Sequence, residues 1–207
     1  MDHFHQLGLV YLTYLITVAS PGPSNMAIMG VAMNRGRAHA VALALGVLTG
    51  SLCWAGLAAA GISTLLTRYA EALIVMKIGG GLYLLFLAWK SAKSALSAKP
   101  GGFSEADPAG RLIYYRRGVL LHLTNPKSIL GWVAIMSLGL RPDAPSHTLV
   151  AIIGGCAAIG FTIFVGYALL FSTAAMANGY RKARRAIEGA LALVFGYAGL
   201  RLLLSKP

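Results

Sequence analysis

Lys127 follows Asn125-Pro126 well inside an apolar segment. A lysine at the centre of a membrane span costs about 2.5–3.5 kcal/mol or more, so it must face a cavity or a partner. An ammonium placed there can bind a carboxylate, or take up and release a proton. It can equally cap carbonyls or pair with a carboxylate of the chain itself. The other unusual stretch is Ser20-Pro21-Gly22-Pro23-Ser24-Asn25, inside a second apolar segment. Proline has no N–H to give a helix and clashes with the carbonyl four residues back, and glycine adds backbone freedom. Together they predict a broken helix.

A break exposes the N–H groups that open its second half, and these favour an anion. Pro23 fits the first turn of the new half-helix, where its missing N–H costs nothing. Ser20 or Ser24 could cap it. The same logic applies to the second break, with Thr124 or Asn125 as cap and Pro126 at the first position. Two half-helix starts make a pocket for a carboxylate. The carbonyls freed just before each break would suit an ammonium group. A zwitterion such as an amino acid meets both demands. The candidate substrate-binding residues are Ser24, Asn25, Thr124, Asn125 and Lys127, shaped by the breaks at Pro21, Gly22, Pro23 and Pro126.

The elements that must position these residues are spans. The 207 residues are 57% hydrophobic and only 12% charged, about half the charge of a soluble domain. Apolar segments are expected at about 7–33, 39–66, 70–90, 118–140, 148–177 and 186–204, each long enough to cross a hydrocarbon core. This is an all-α integral membrane protein with six transmembrane helices. The net charge of +12 gathers between the segments, the pattern of loops against anionic headgroups rather than of a nucleic-acid module. Arg35, Arg37, Lys90, Lys93, Lys99, Arg111, Arg116, Arg117, Arg181, Lys182, Arg184 and Arg185 fall on one side. Arg68, Arg141, Arg201 and Lys206 fall on the other. The richer side is expected in the cytoplasm, which puts both termini outside. No basic region precedes the first segment, so it is expected to be retained rather than cleaved as a signal peptide.

The polar stretch 91–117, with turn-forming Lys99-Pro100-Gly101-Gly102 and Asp107-Pro108-Ala109-Gly110, is read as a cytoplasmic linker. It divides one membrane domain into repeats of three helices, 1–90 and 118–207. An odd number of spans per repeat inverts one against the other, the plan of many secondary transporters. The breaks match in position, because Pro21 and Pro126 each lie in the first helix of a repeat. Two ordinary proline kinks are the plainer alternative.

Other polar residues carry less. His122 fits a hydrogen-bonded structural histidine, with a pH-sensitive role as the alternative. Lys77 is expected to snorkel or to pair with Glu71, and Glu188 to pair with Arg184 four residues earlier. Cys53 and Cys156 are isolated packing residues. No carboxylate lies in the middle of any segment. Gly46-Val47-Leu48-Thr49-Gly50 permits close helix approach. No zinc spacing, nucleophile elbow or P-loop is present. No cofactor or metal is expected.

The Ser-Pro-Gly-Pro of the first span with Asn34-Arg35-Gly36-Arg37, the run Arg117-Gly118-Val119-Leu120-Leu121-His122-Leu123-Thr124-Asn125-Pro126-Lys127, and Lys77 with Tyr83-Leu84-Leu85-Phe86-Leu87-Ala88-Trp89-Lys90 together resemble the LysE family of amino-acid exporters, which includes homoserine and threonine exporters. The resemblance covers nearly the whole chain. It implies a small bacterial inner-membrane secondary transporter that exports amino acids or related solutes, driven by the proton gradient. His122 stands where an uncharged polar residue is common in that family, and Gly160-Phe161-Thr162 lacks the acidic residue some threonine exporters carry. A basic substrate would need a carboxylate in the pocket, so a neutral amino acid is expected. The partners are then a small amino-acid substrate and the lipid bilayer, with no nucleic acid. A homo-oligomer is left open. A membrane-embedded enzyme or a non-transporting assembly subunit are the competing classes.

Overall fold

The computed structural model describes residues 2–20, 22–62, 110–140 and 146–204, together with 78, 82, 85–86, 88–89, 91–93 and 95–96. Among these the chain is helical, with no strand. Pro21, Lys77 and most of the third apolar segment and linker lie outside the described residues.

The first apolar segment is two helices, α1 (Asp2–Ala19) and α2 (Pro23–Arg35). Pro23 opens α2 because a first-turn residue needs no N–H partner. Gly36 then turns the chain with φ 80°, a conformation that costs glycine little, and α3 (Arg37–Leu57) follows, ending in one π turn, Ala58–Ile62. The second broken pair is α4 (Arg111–Leu123) and α5 (Pro126–Gly139). Next come α6 (Ser146–Leu170) and α7 (Ala174–Leu204). Among the described residues two stretches, Arg37–Gly61 and His147–Leu170, are long and apolar enough to cross a membrane, and His5–Ala19 is apolar but shorter.

Two boundaries differ from the sequence expectation. Helix α4 starts at Arg111, inside the stretch read as linker, because Tyr114 is buried against the edge of His39 with the Arg117 guanidinium over its ring. Helix α7 runs through Arg181–Arg185, which was expected as loop. There the Tyr180 hydroxyl donates to the buried Glu188 carboxylate at 3.3 Å, within one continuous helix.

The chain forms two compact units. One comprises 1–63 and 108–173 and holds α1 to α6. The other comprises 64–107 and 174–207 and holds α7. The core of the first unit runs from Val10 and Tyr14 of α1 through Ile28 and Val31 of α2, Leu43 and Val47 of α3, and Trp132 and Ile135 of α5, to Ile152 and Phe164 of α6. Its tightest seam joins α3 to α4. A Cβ on Gly46 would strike the Tyr115 carbonyl, and one on Gly118 would strike the Leu43 carbonyl. Small residues are what let two helix backbones meet this closely. In the second unit Gly196 of α7 faces Ala88.

Candidate functional site

Helix α1 ends at the first break, where Ile16 O keeps the last ordinary bond from four residues on and the Thr17, Val18 and Ala19 carbonyls have no helical partner of the usual kind. All four are taken. The Ser20 N–H donates to Ile16 O at 3.0 Å and the Ser20 hydroxyl to Thr17 O at 2.9 Å. Asn25 Nδ2 donates to Val18 O at 2.7 Å, and the Tyr167 hydroxyl of α6 donates to Ala19 O at 2.9 Å. One residue further, Ser20 O accepts from Asn25 Nδ2 at 3.2 Å and from Lys127 Nζ at 3.0 Å. Lys127 Nζ also donates to Ser20 Oγ at 2.6 Å. The carbonyls expected to await a substrate ammonium are therefore held by donors of the protein, one of them the lysine of the opposite break. Among the described residues no acid pairs with Lys127.

The N-terminal sides of the breaks differ. In α5, Asn125 is the cap, and its Oδ1 accepts from the Lys127 N–H at 3.1 Å. Thr124 does not cap. Its hydroxyl bonds back to Leu120 O at 2.8 Å and its side chain is exposed. In α2 the cap position is Gly22, with extended backbone and no side-chain cap, so neither Ser20 nor Ser24 fills that role. Ser24 instead bridges the two breaks. Its Oγ lies 3.0 Å from His122 Nδ1 and accepts from Asn125 Nδ2 at 3.5 Å. His122 is buried, edge-on to Phe164.

Asn25 is 3% exposed. Its amide nitrogen must face Val18 O and Ser20 O, because two carbonyls cannot be served by an amide oxygen. That fixes Oδ1 on the other side, where no donor reaches it among the described residues. An unmet buried acceptor costs about 1–3 kcal/mol.

These groups line one cavity of about 40 Å³. Ser20, Gly22, Ser24, Asn25, His122, Asn125, Lys127 and Ser128 form its polar part, and Tyr14, Thr17, Val18, Gly131, Trp132 and Phe164 form the rest, together with Ser51. A few waters fit in such a space. A small-molecule site is several times larger, so a substrate requires the cavity to widen. Thr124 is the one candidate that the structure leaves off this lining.

Ser51, Tyr14 and Trp132 were not singled out from the sequence. Trp132 Nε1 donates to Ser51 Oγ at 2.9 Å, Tyr14 OH lies 3.2 Å from the same oxygen, and the two rings stand 5.2 Å apart. A helical-face signal was available for one of them, since Ser128 and Trp132 are four apart on the face that carries Asn125. No comparable signal marks Ser51.

Among the described residues, two apolar helices of membrane-crossing length, with a half-buried lysine hydrogen-bonded inside a cavity between helix breaks, fit an all-helical membrane protein. Residues 15–206 match the LysE type translocator family, and the chain belongs to that family of translocators rather than to an enzyme family. It is 26% identical over 201 residues to the threonine efflux protein of Salmonella typhi, covering 95% of this chain and 97% of that one. It is 28% identical to the homoserine/homoserine lactone efflux protein of Salmonella typhimurium, over 92% of each chain. It is 31% identical to the leucine efflux protein of Klebsiella pneumoniae, over 63% of this chain and 64% of that one. No solved structure matches.

Proposed function

We propose that the protein exports small neutral amino acids across the bacterial inner membrane by a proton-driven, alternating-access cycle. The observation that carries this reading is the Lys127 ammonium, held inside the cavity by Ser20 and, among the described residues, by no acid. A substrate carboxylate is a stronger acceptor for it than a neutral carbonyl and hydroxyl. Gly22 lies beside the same ammonium, at the uncapped start of α2, so the carboxylate would also feel the positive end of that helix. Efflux of threonine, of homoserine and homoserine lactone, and of leucine is what the names of the relatives state; threonine, homoserine and leucine are zwitterions without a charged side chain, whereas the lactone lacks the free carboxylate. Six spans in two inverted repeats, 1–90 and 118–207 around the linker 91–117, with both termini outside, complete the proposal. The paired breaks and the distribution of basic residues support it.

Purified protein in liposomes loaded with labelled threonine, homoserine or leucine tests this directly. At least one should leave the vesicles faster than from protein-free controls, and an imposed pH gradient should accelerate its exit. Absence of flux for all three, with the protein folded, would overturn the reading and favour an assembly subunit.

A further inference from the structure

The geometry points to Asn25 Oδ1 as the seat of the substrate's ammonium group, opposite Lys127 as the seat of its carboxylate. This rests on the transport reading above and gives it a chemical requirement, a free amino group next to the acid. The carbonyls of Ile16, Thr17, Val18 and Ala19 that end α1 already have donors. Asn25 Oδ1 is the one fully buried polar side-chain atom of the cavity lining that has no hydrogen-bond partner among the described residues, and its orientation is forced by the two bonds of Nδ2. The carboxamide and the Lys127 ammonium meet on one atom, Ser20 O. They are thus no farther apart than two hydrogen bonds through a single oxygen, a span that an α-amino acid bridges with its two charged ends. When Lys127 turns from Ser20 to the carboxylate, Ser20 O keeps the Asn25 bond and gains room for a second N–H from the substrate. An ammonium has three donors, enough for Asn25 Oδ1 and Ser20 O together. A 2-hydroxy acid offers one neutral donor in the same place and leaves part of the site unmet.

The test is competition in the liposome assay, using whichever of threonine, homoserine and leucine is carried, against the same molecule with hydroxyl in place of the 2-amino group. The native protein should prefer the amino acid at least about tenfold, the scale of one lost charge-assisted hydrogen bond. Asn25→Ala should bring that preference to within about threefold, and Thr124→Ala, at an exposed side chain off the cavity lining, should preserve it. A purely structural role weakens both ligands alike and leaves the ratio at its native value in Asn25→Ala. That result, or a native protein indifferent to the amino group, overturns the assignment while leaving transport intact. If none of the three amino acids is carried, the transport reading falls and this one falls with it.

Discussion

Replacing Lys127 with methionine keeps the length and apolar bulk of the side chain and removes only the ammonium. Two hydrogen bonds to Ser20, at 3.0 and 2.6 Å, are lost. Bonds to a charged group are worth about 1.5–3 kcal/mol each. Against that stands the relief of no longer holding a charge within a span, about 2.5–3.5 kcal/mol. Ser20 O is not orphaned, since Asn25 Nδ2 still reaches it at 3.2 Å, and Ser20 Oγ still donates to Thr17 O. The two effects largely offset, so Lys127→Met should reach the membrane in normal amount and melt near the native temperature in detergent. Transport should respond very differently. One missing charged bond to the substrate carboxylate corresponds to a loss of roughly 10- to 150-fold in apparent affinity. Efflux of labelled amino acid from liposomes, measured at subsaturating concentration, reads this directly. Flux within threefold of native in a normally folded Lys127→Met protein would refute the proposed role of the ammonium.

Other substitutions probe the frame around it. Gly118→Ala drives a methyl group into the Leu43 carbonyl at the α3–α4 seam and should cost about 1–3 kcal/mol or more, seen as a lower melting temperature in detergent. An unchanged melting temperature would show that the seam yields to a methyl group. Ser51→Ala leaves Trp132 Nε1 and Tyr14 OH without their shared partner, a loss of about 1–3 kcal/mol for the stranded indole donor, and the tryptophan emission should shift. Asn125→Ala removes the cap of α5 and should cost about 1 kcal/mol, whereas Thr124→Ala, at an exposed side chain, should change neither stability nor flux. Reporter fusions at the C-terminus should score as external, and a cytoplasmic signal would reverse the proposed orientation.

The breaks were legible in the sequence because proline acts locally. Gly22 and Pro23 hold the cap and first positions of α2, and Asn125 and Pro126 those of α5. The glycine seam was legible for a similar reason, since Gly46 and Gly50 sit four apart on one helix face. The choice between Thr124 and Asn125 as cap was not. It turns on which side chain can reach forward, and the Thr124 hydroxyl is drawn back to Leu120 O. The cavity wall of Tyr14, Ser51 and Trp132 was invisible because it exists only when α1, α3 and α5 meet, and none of the three residues is unusual in its own segment. The helical course of Arg181–Arg185 was missed because a run of charge says where a membrane span stops, not where a helix does.

The largest departure concerns the carbonyl end of the first break. Counting freed carbonyls along α1 predicted an open seat for an ammonium, but the donors that fill it come from elsewhere: Asn25 in α2, Tyr167 in α6 and Lys127 in α5. These three links differ in what an arriving substrate can do to them. The bonds from Tyr167 and Asn25 join neutral partners, and a carboxylate gains little by competing for either donor. The bond from Lys127 joins an ammonium to a neutral serine, and a carboxylate is the better acceptor for it. A substrate can therefore exchange one link without breaking the others, so α1, α2 and α6 stay tied at the break while α5 is released from Ser20. The cavity is too small for an amino acid as it stands, and α5 is the wall that carries Lys127, Ser128, Gly131 and Trp132. On the proposed function, the group that recognises the substrate is thus also the one whose release lets the site widen around it.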